Sequence, residues 1–238
     1  MISEVIKKLQ KLTNKKNIYF TQNARTAVKQ IVSNYPNKII NLQEEGSWYT
    51  YKKLGKINYL SMKKGKINTK DIPKNSVLIL NSMPGYVYKE NTKKIYSECI
   101  KKNTIMINDV CGSIGMQIAK HGDYITGSFG NYKPLSAGGG GFIATNKKIK
   151  IKNEELDFHK INKAINNLKT TKRRWQNKKY QILKLIPKKQ IIAHNINIIA
   201  KPTENLINKL TTKNIKTVKC PTYIRINKNA ISIEIKRW

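Results

Sequence analysis

The chain has 238 residues, of which 39% are hydrophobic, and a formal net charge of +34. That is long and apolar enough to bury a core as one large domain with a smaller appendage, which excludes disorder throughout. The charge points first to an anionic partner, but 42 of the 47 basic residues are lysine, spread from end to end, and only five are arginine. Arginine is the better fork for phosphate and base edges, so this balance favours a lysine-biased solvated surface, and binding to RNA or tRNA stands as the alternative.

The opening stretch "MISEVIKKLQKL" alternates charges through its apolar positions and does not read as a signal-peptide core. No later apolar run approaches the length of a membrane span. Three scattered cysteines, Cys99, Cys111 and Cys220, suit neither a disulfide framework nor a metal site. A cytoplasmic protein with no membrane partner and no metal is expected.

The hydrophobic pattern then predicts a strand at 16–20 ("KNIYF"), a helix at 24–35, a strand at 37–42 and an aromatic-rich loop at 43–51 ("QEEGSWYTY"). A strand at 76–80 ("SVLIL"), a helix at 92–103 and strands at 104–109, 123–129 and 141–145 follow. Strands alternating with helices predict an α/β fold with a mostly parallel sheet covered by helices on both faces. After about residue 150 comes a long basic helical stretch (154–186), a strand-like piece (191–200) and a hairpin candidate (222–238, turning at "NKNA"). The expected division is a large domain at 1–150 and a small α+β subdomain at 151–238.

In a sheet of this kind ligands sit beyond the carboxyl ends of the strands. Asp109 ends a strongly apolar strand, where a carboxylate is costly unless a donor or cation meets it. Lys133 follows another strand and precedes four glycines, 138–141. The segment "TQNART" (21–26) joins a strand to a helix, and a helix N-terminus with a short polar residue and an arginine is by geometry an anion site. Asn23 can equally serve only as that helix's N-cap.

Together these pieces resemble fold-type I pyridoxal-phosphate enzymes, and within them the DegT/DnrJ/EryC1/StrS aminotransferase-like group. "SFGNYKPLSAGGGG" is similar to that group's S-F-x-x-x-K-N-L-T-T-G-E-G-G motif, "DVCGSIG" stands where it carries D-A-A-Q-A-H-G, and "NARTA" resembles its S-G-x-T-A segment. The resemblance covers roughly residues 15–146. It implies pyridoxal 5'-phosphate as cofactor, Lys133 as the Schiff-base lysine and proton shuttle, and Asp109 as partner of the pyridine nitrogen. Asn23, Ala24, Arg25 and Thr26 with Ser128 would hold the phosphate, and Trp48 would stack on the ring. Asn81 or Ser82 would replace a hydrogen bond lost where the family's Gln is Gly112. The family's Glu in the glycine turn is Gly139. Arg225 would bind a substrate carboxylate. A homodimer acting on a small amino compound is implied, and burial beside a cofactor is expected to lower the Lys133 pKa.

Overall fold

The computed structural model describes residues 1–151, 153–222 and 226–237. Residues 2–13, to which the sequence pattern assigns no element, form helix α1 (Ile2–Thr13). Val5, Leu9 and Thr13 bury one stripe at i, i+4 spacing, and the helix stops at Asn14 in the left-handed conformation. Strand β1 (Asn17–Thr21) leads into α2 (Ala24–Val32), where the Asn23 side chain accepts the Thr26 N–H as an N-cap. The strand expected at 37–42 lies at β2 (Ile40–Gln43). The stretch 52–75, left unassigned by the sequence, holds strand β3 (Ile57–Leu60) and a small hairpin, β4 (Met62–Lys63) with β5 (Lys66–Ile67).

Next come β6 (Val77–Asn81), α3 (Thr92–Lys101), β7 (Ile105–Asp109), β8 (Tyr124–Ser128) and β9 (Gly141–Thr145), within one or two residues of expectation. The long basic stretch is two helices, α4 (Phe158–Asn166) and α5 (Leu168–Leu183), which meet at Asn167. Residues 191–200 are a hairpin, β10 (Ile191–His194) with β11 (Ile198–Ala200). Helix α6 (Glu204–Thr211), β12 (Thr217–Lys219) and β13 (Ile231–Ile233) complete the described elements. Among the described residues the partners of β13 are β11 and β12; the first arm of the hairpin expected within 222–238 includes 223–225, which lie outside the described residues.

The main sheet runs β1-β9-β8-β7-β6-β2-β3. β9 is antiparallel to both neighbours, and every other adjacent pair is parallel. Side chains of β6 alternate between the faces: Val77 and Ile79 pack with Ala27, Val28 and Ile31 of α2, whereas Leu78 and Leu80 pack with Ile95 and Cys99 of α3. Helices therefore cover both faces, which is why β2, β6 and β9 are buried along their whole length. Towards the β1 edge, Val5 and Leu9 of α1 and Ile161 and Ile165 of α4 pack on Ile18, Phe20, Ile125 and Phe142.

A second sheet, β10-β11-β13-β12, is antiparallel throughout. Its apolar face joins Trp175 and Ile182 of α5 and Leu206 and Leu210 of α6, and Met83 and Tyr86 from the loop after β6 reach into the same core. No helix among the described residues is long and apolar enough to cross a membrane. Cys99, Cys111 and Cys220 are not in disulfides.

Candidate active site

Strand register assembles the site. Asn81 and Asp109 are paired neighbours at the carboxyl ends of β6 and β7. Ser128 of β8 pairs with Gly141 of β9, which in turn pairs with Thr21 of β1. The turn that starts α2 thus lies beside Ser128, two strands away in the sheet. Gly141 makes this approach possible, because a Cβ there would sit 2.5 Å from the Asn23 carbonyl carbon and 2.6 Å from the Ala24 nitrogen.

These ends enclose a cavity of ≈190 Å³. Of the residues singled out from sequence, Asn23, Ala24, Arg25, Trp48, Asn81, Asp109, Ser128 and Lys133 all line it. Thr26 does not, its N–H being taken up by the Asn23 cap. Ser82 is buried behind the wall, donating to the Asp109 carbonyl at 3.1 Å and sharing a hydrogen bond with Ser113 at 2.6 Å. Arg225 lies outside the described residues. Tyr51, Tyr86, Cys111 and Gly112 also line the cavity and were not assigned roles from sequence.

Asp109 is buried and held by two donors. The Tyr51 hydroxyl donates to Oδ2 at 3.0 Å and the Cys111 backbone N–H donates to Oδ1 at 3.0 Å. Asn81 spends its side chain on the neighbouring loop, donating to the Gly46 carbonyl at 2.7 Å and accepting the Met83 N–H at 3.0 Å. Ser128 Oγ accepts the Gly130 N–H at 3.1 Å and keeps its own hydroxyl proton to donate. The first N–H groups of α2, on Ala24 and Arg25, have no acceptor within the helix, which gives the cavity a positive wall.

Lys133 reaches in from the loop after β8, its Nζ donating to the Tyr86 hydroxyl at 2.7 Å. The expectation that burial lowers its pKa is not met. Burial does push the ammonium that way, but the negative charge that Tyr86 and Cys111 take on when they ionise at high pH, the hydrogen bond to the Tyr86 oxygen and the Asp109 carboxylate outweigh it and hold Lys133 above the ordinary lysine value. Burial pushes the Tyr86 phenol and the Cys111 thiol up in turn, so both are neutral near pH 7. The partner of opposite charge is then Asp109. Of the glycines after Lys133, Gly138 and Gly140 hold φ of +92° and +94°, whereas a Cβ at Gly139 would meet nothing within 4 Å.

No protein-family model matches the chain, and no curated protein matches it by sequence. Solved structures do. A DegT DnrJ EryC1 StrS aminotransferase from Brucella abortus superposes with a TM-score of 0.72 at 13% identity, covering 98% of this chain and 84% of its own. DesI, solved in the presence of its TDP-sugar product, gives 0.75 at 10% identity over 99% and 82%. Serine palmitoyltransferase from S. paucimobilis, solved with a bound PLP-myriocin aldimine, gives 0.68 at 13% identity over 98% and 70%. With its seven-stranded sheet, single antiparallel strand and small C-terminal sheet, the chain has the α/β fold of these transferases, the fold-type I architecture.

Proposed function

We propose that this chain is a pyridoxal 5'-phosphate-dependent transferase of aminotransferase type acting on a small amino compound, with Lys133 as the covalent attachment point of the cofactor. The observation that carries this reading is the convergence, on one cavity, of a lysine amine, a buried doubly hydrogen-bonded carboxylate and a helix N-terminus beside a serine hydroxyl. These residues fit the group. Ala24 and Arg25 N–H with Ser128 suit its phosphate, Asp109 its pyridine nitrogen and Trp48 the face of its ring, while the absent Cβ at Gly141 leaves the phosphate wall in place. When bound, the cofactor supplies an aldehyde and an electron-accepting ring.

The rest is the work of this chain's side chains. Tyr51 and the Cys111 N–H fix the direction of the Asp109 carboxylate. Lys133, charged at rest, must shed its proton before its Nζ can attack, and the same Nζ is then placed to move a proton at the substrate carbon. A larger cavity of ≈550 Å³ also opens onto Lys133, lined by Lys160, Lys163, Arg174 and Lys236 and, among the described residues, by no carboxylate side chain. It favours an amino substrate that carries an anionic group.

The fold-type I resemblance implies that two copies complete the enzyme; residues 1–150 would hold the cofactor, and in the smaller part, residues 151–238, Arg225 would bind a substrate carboxylate. Cysteines outside any disulfide fit a reducing cytoplasm. Titrating pyridoxal phosphate into purified wild-type protein and into Lys133→Ala tests the reading. A visible absorbance band that survives gel filtration in the wild type alone is expected. Wild-type protein that takes up no cofactor, yet holds one RNA species near physiological salt, would instead favour an RNA- or tRNA-associated protein on a degenerate transferase fold.

A further inference from the structure

Tyr86 is the least anticipated part of the cavity. It is 2% exposed and adopts φ +62°, a left-handed conformation that is strained for a residue with a side chain. The surroundings hold it there from three sides. Its backbone carbonyl accepts the N–H groups of Ile196 (3.0 Å) and Asn197 (3.2 Å) in the turn between β10 and β11. Lys236 Nζ stands 3.4 Å from its ring centroid, a close cation–π contact from the C-terminal turn. On the far side, its ring lies where a side chain at position 112 would go, since a Cβ on Gly112 would come within 2.8 Å of Tyr86 Cε1.

The hydroxyl end of this fixed ring is what Lys133 Nζ touches. We infer that Tyr86 is a positioning residue for Lys133: anchored by the small sheet and by Lys236, it occupies the space left by Gly112 and holds the amine in the cavity. A packing role alone would fix the ring but would need no hydroxyl, and the strained backbone would then gain nothing from its placement. Gly112 and Tyr86 are thus one arrangement, each position requiring the residue found at the other.

This inference takes from the proposed function only that Lys133 is the reactive amine, and its test needs no cofactor. The groups facing the amine are the Tyr86 hydroxyl, the Cys111 thiol and the Asp109 carboxylate, with Arg25 on the same cavity and the cations of the larger cavity on its open side. In Tyr86→Phe the burial that disfavours the ammonium stays and the hydroxyl that favours it goes. Lys133 should then lose its proton at lower pH.

Pulse acylation of the cofactor-free protein with acetic anhydride across a pH series, read peptide by peptide in a mass spectrometer, follows Lys133 beside exposed lysines that serve as internal controls. In the wild type, Lys133 should half-react at higher pH than the exposed lysines. In Tyr86→Phe its midpoint should fall by about one unit or more, a roughly tenfold faster reaction at a fixed pH below the midpoints, while the exposed lysines stay unchanged. Gly112→Ala, which pushes the ring aside, should shift Lys133 in the same direction, and it decides the matter if Tyr86→Phe does not fold. An unchanged Lys133 midpoint in the folded variant overturns the inference. Failure of the wild type to take up pyridoxal phosphate would sink the proposed function and leave this result standing.

Discussion

Glu90 carries a test of the scaffold that supports the cavity. It is 2% exposed, and its Oε1 accepts the Gln43 amide at 2.8 Å and the Ile67 N–H at 3.1 Å. Gln43 passes the connection on, its Oε1 accepting the Asn81 N–H at 2.7 Å on the cavity wall. Burial raises the Glu90 pKa to about 7, against the two hydrogen bonds and Lys66, which act the other way. Because the folded pKa lies above the unfolded one, the carboxyl favours the folded state fully only below about pH 4.5, and that contribution is lost as pH rises through about 7. The loss amounts to about 3 kcal/mol between pH 4 and pH 8. Glu90→Gln keeps an oxygen for both hydrogen bonds and cannot ionise. Urea unfolding of both proteins should give a variant within about 1 kcal/mol of wild type near pH 5 and about 3 kcal/mol more stable near pH 8. A stability difference that does not change with pH would refute the reasoning.

The glycine run separates into positions that matter and one that does not. Gly141→Ala places a methyl against the backbone of Asn23 and Ala24 and should cost about 1–3 kcal/mol by thermal or urea unfolding, with weakened cofactor uptake, whereas Gly139→Ala should stay within about 0.5 kcal/mol of wild type. Tyr51→Phe removes one of the two donors to a buried carboxylate and should cost about 1–3 kcal/mol in urea unfolding at neutral pH. Asp109→Ala should still attach pyridoxal phosphate through Lys133 but lose turnover with any amino donor, measured by keto-acid release, because an unprotonated ring is a poor electron sink.

The central sheet was legible because its strands are continuous β-branched and aliphatic runs between turn residues, and full burial on both faces demands that pattern. β3 escaped notice for the opposite reason. It is an edge strand with Asn58 and the half-exposed Tyr59 outward, so it has no apolar run to betray it. The break at Asn167 was invisible because Ile161, Ala164, Ile165 and Leu168 keep helical spacing straight across it. Asp109, Ser128 and Lys133 could be found since strand ends are where such a fold keeps its ligands. Tyr86 is 47 residues from Lys133 in sequence, and no spacing rule joins them. The available signal was "SMPGY", a Pro-Gly turn directly after a buried strand, together with the missing side chain at position 112. The direction of the Lys133 shift depended on that same tyrosine and could not be read before it was placed.

Lys133 is the proposed point of attachment of the cofactor. Borohydride reduction of the wild-type protein incubated with pyridoxal phosphate, followed by peptide mapping, tests it directly. One stoichiometric pyridoxyl group on the peptide containing Lys133, absent from Lys133→Ala, is the expected result. Modification scattered over the surface lysines with none preferred, or no reduced adduct at Lys133 at all, would rule out Lys133 as the attachment point.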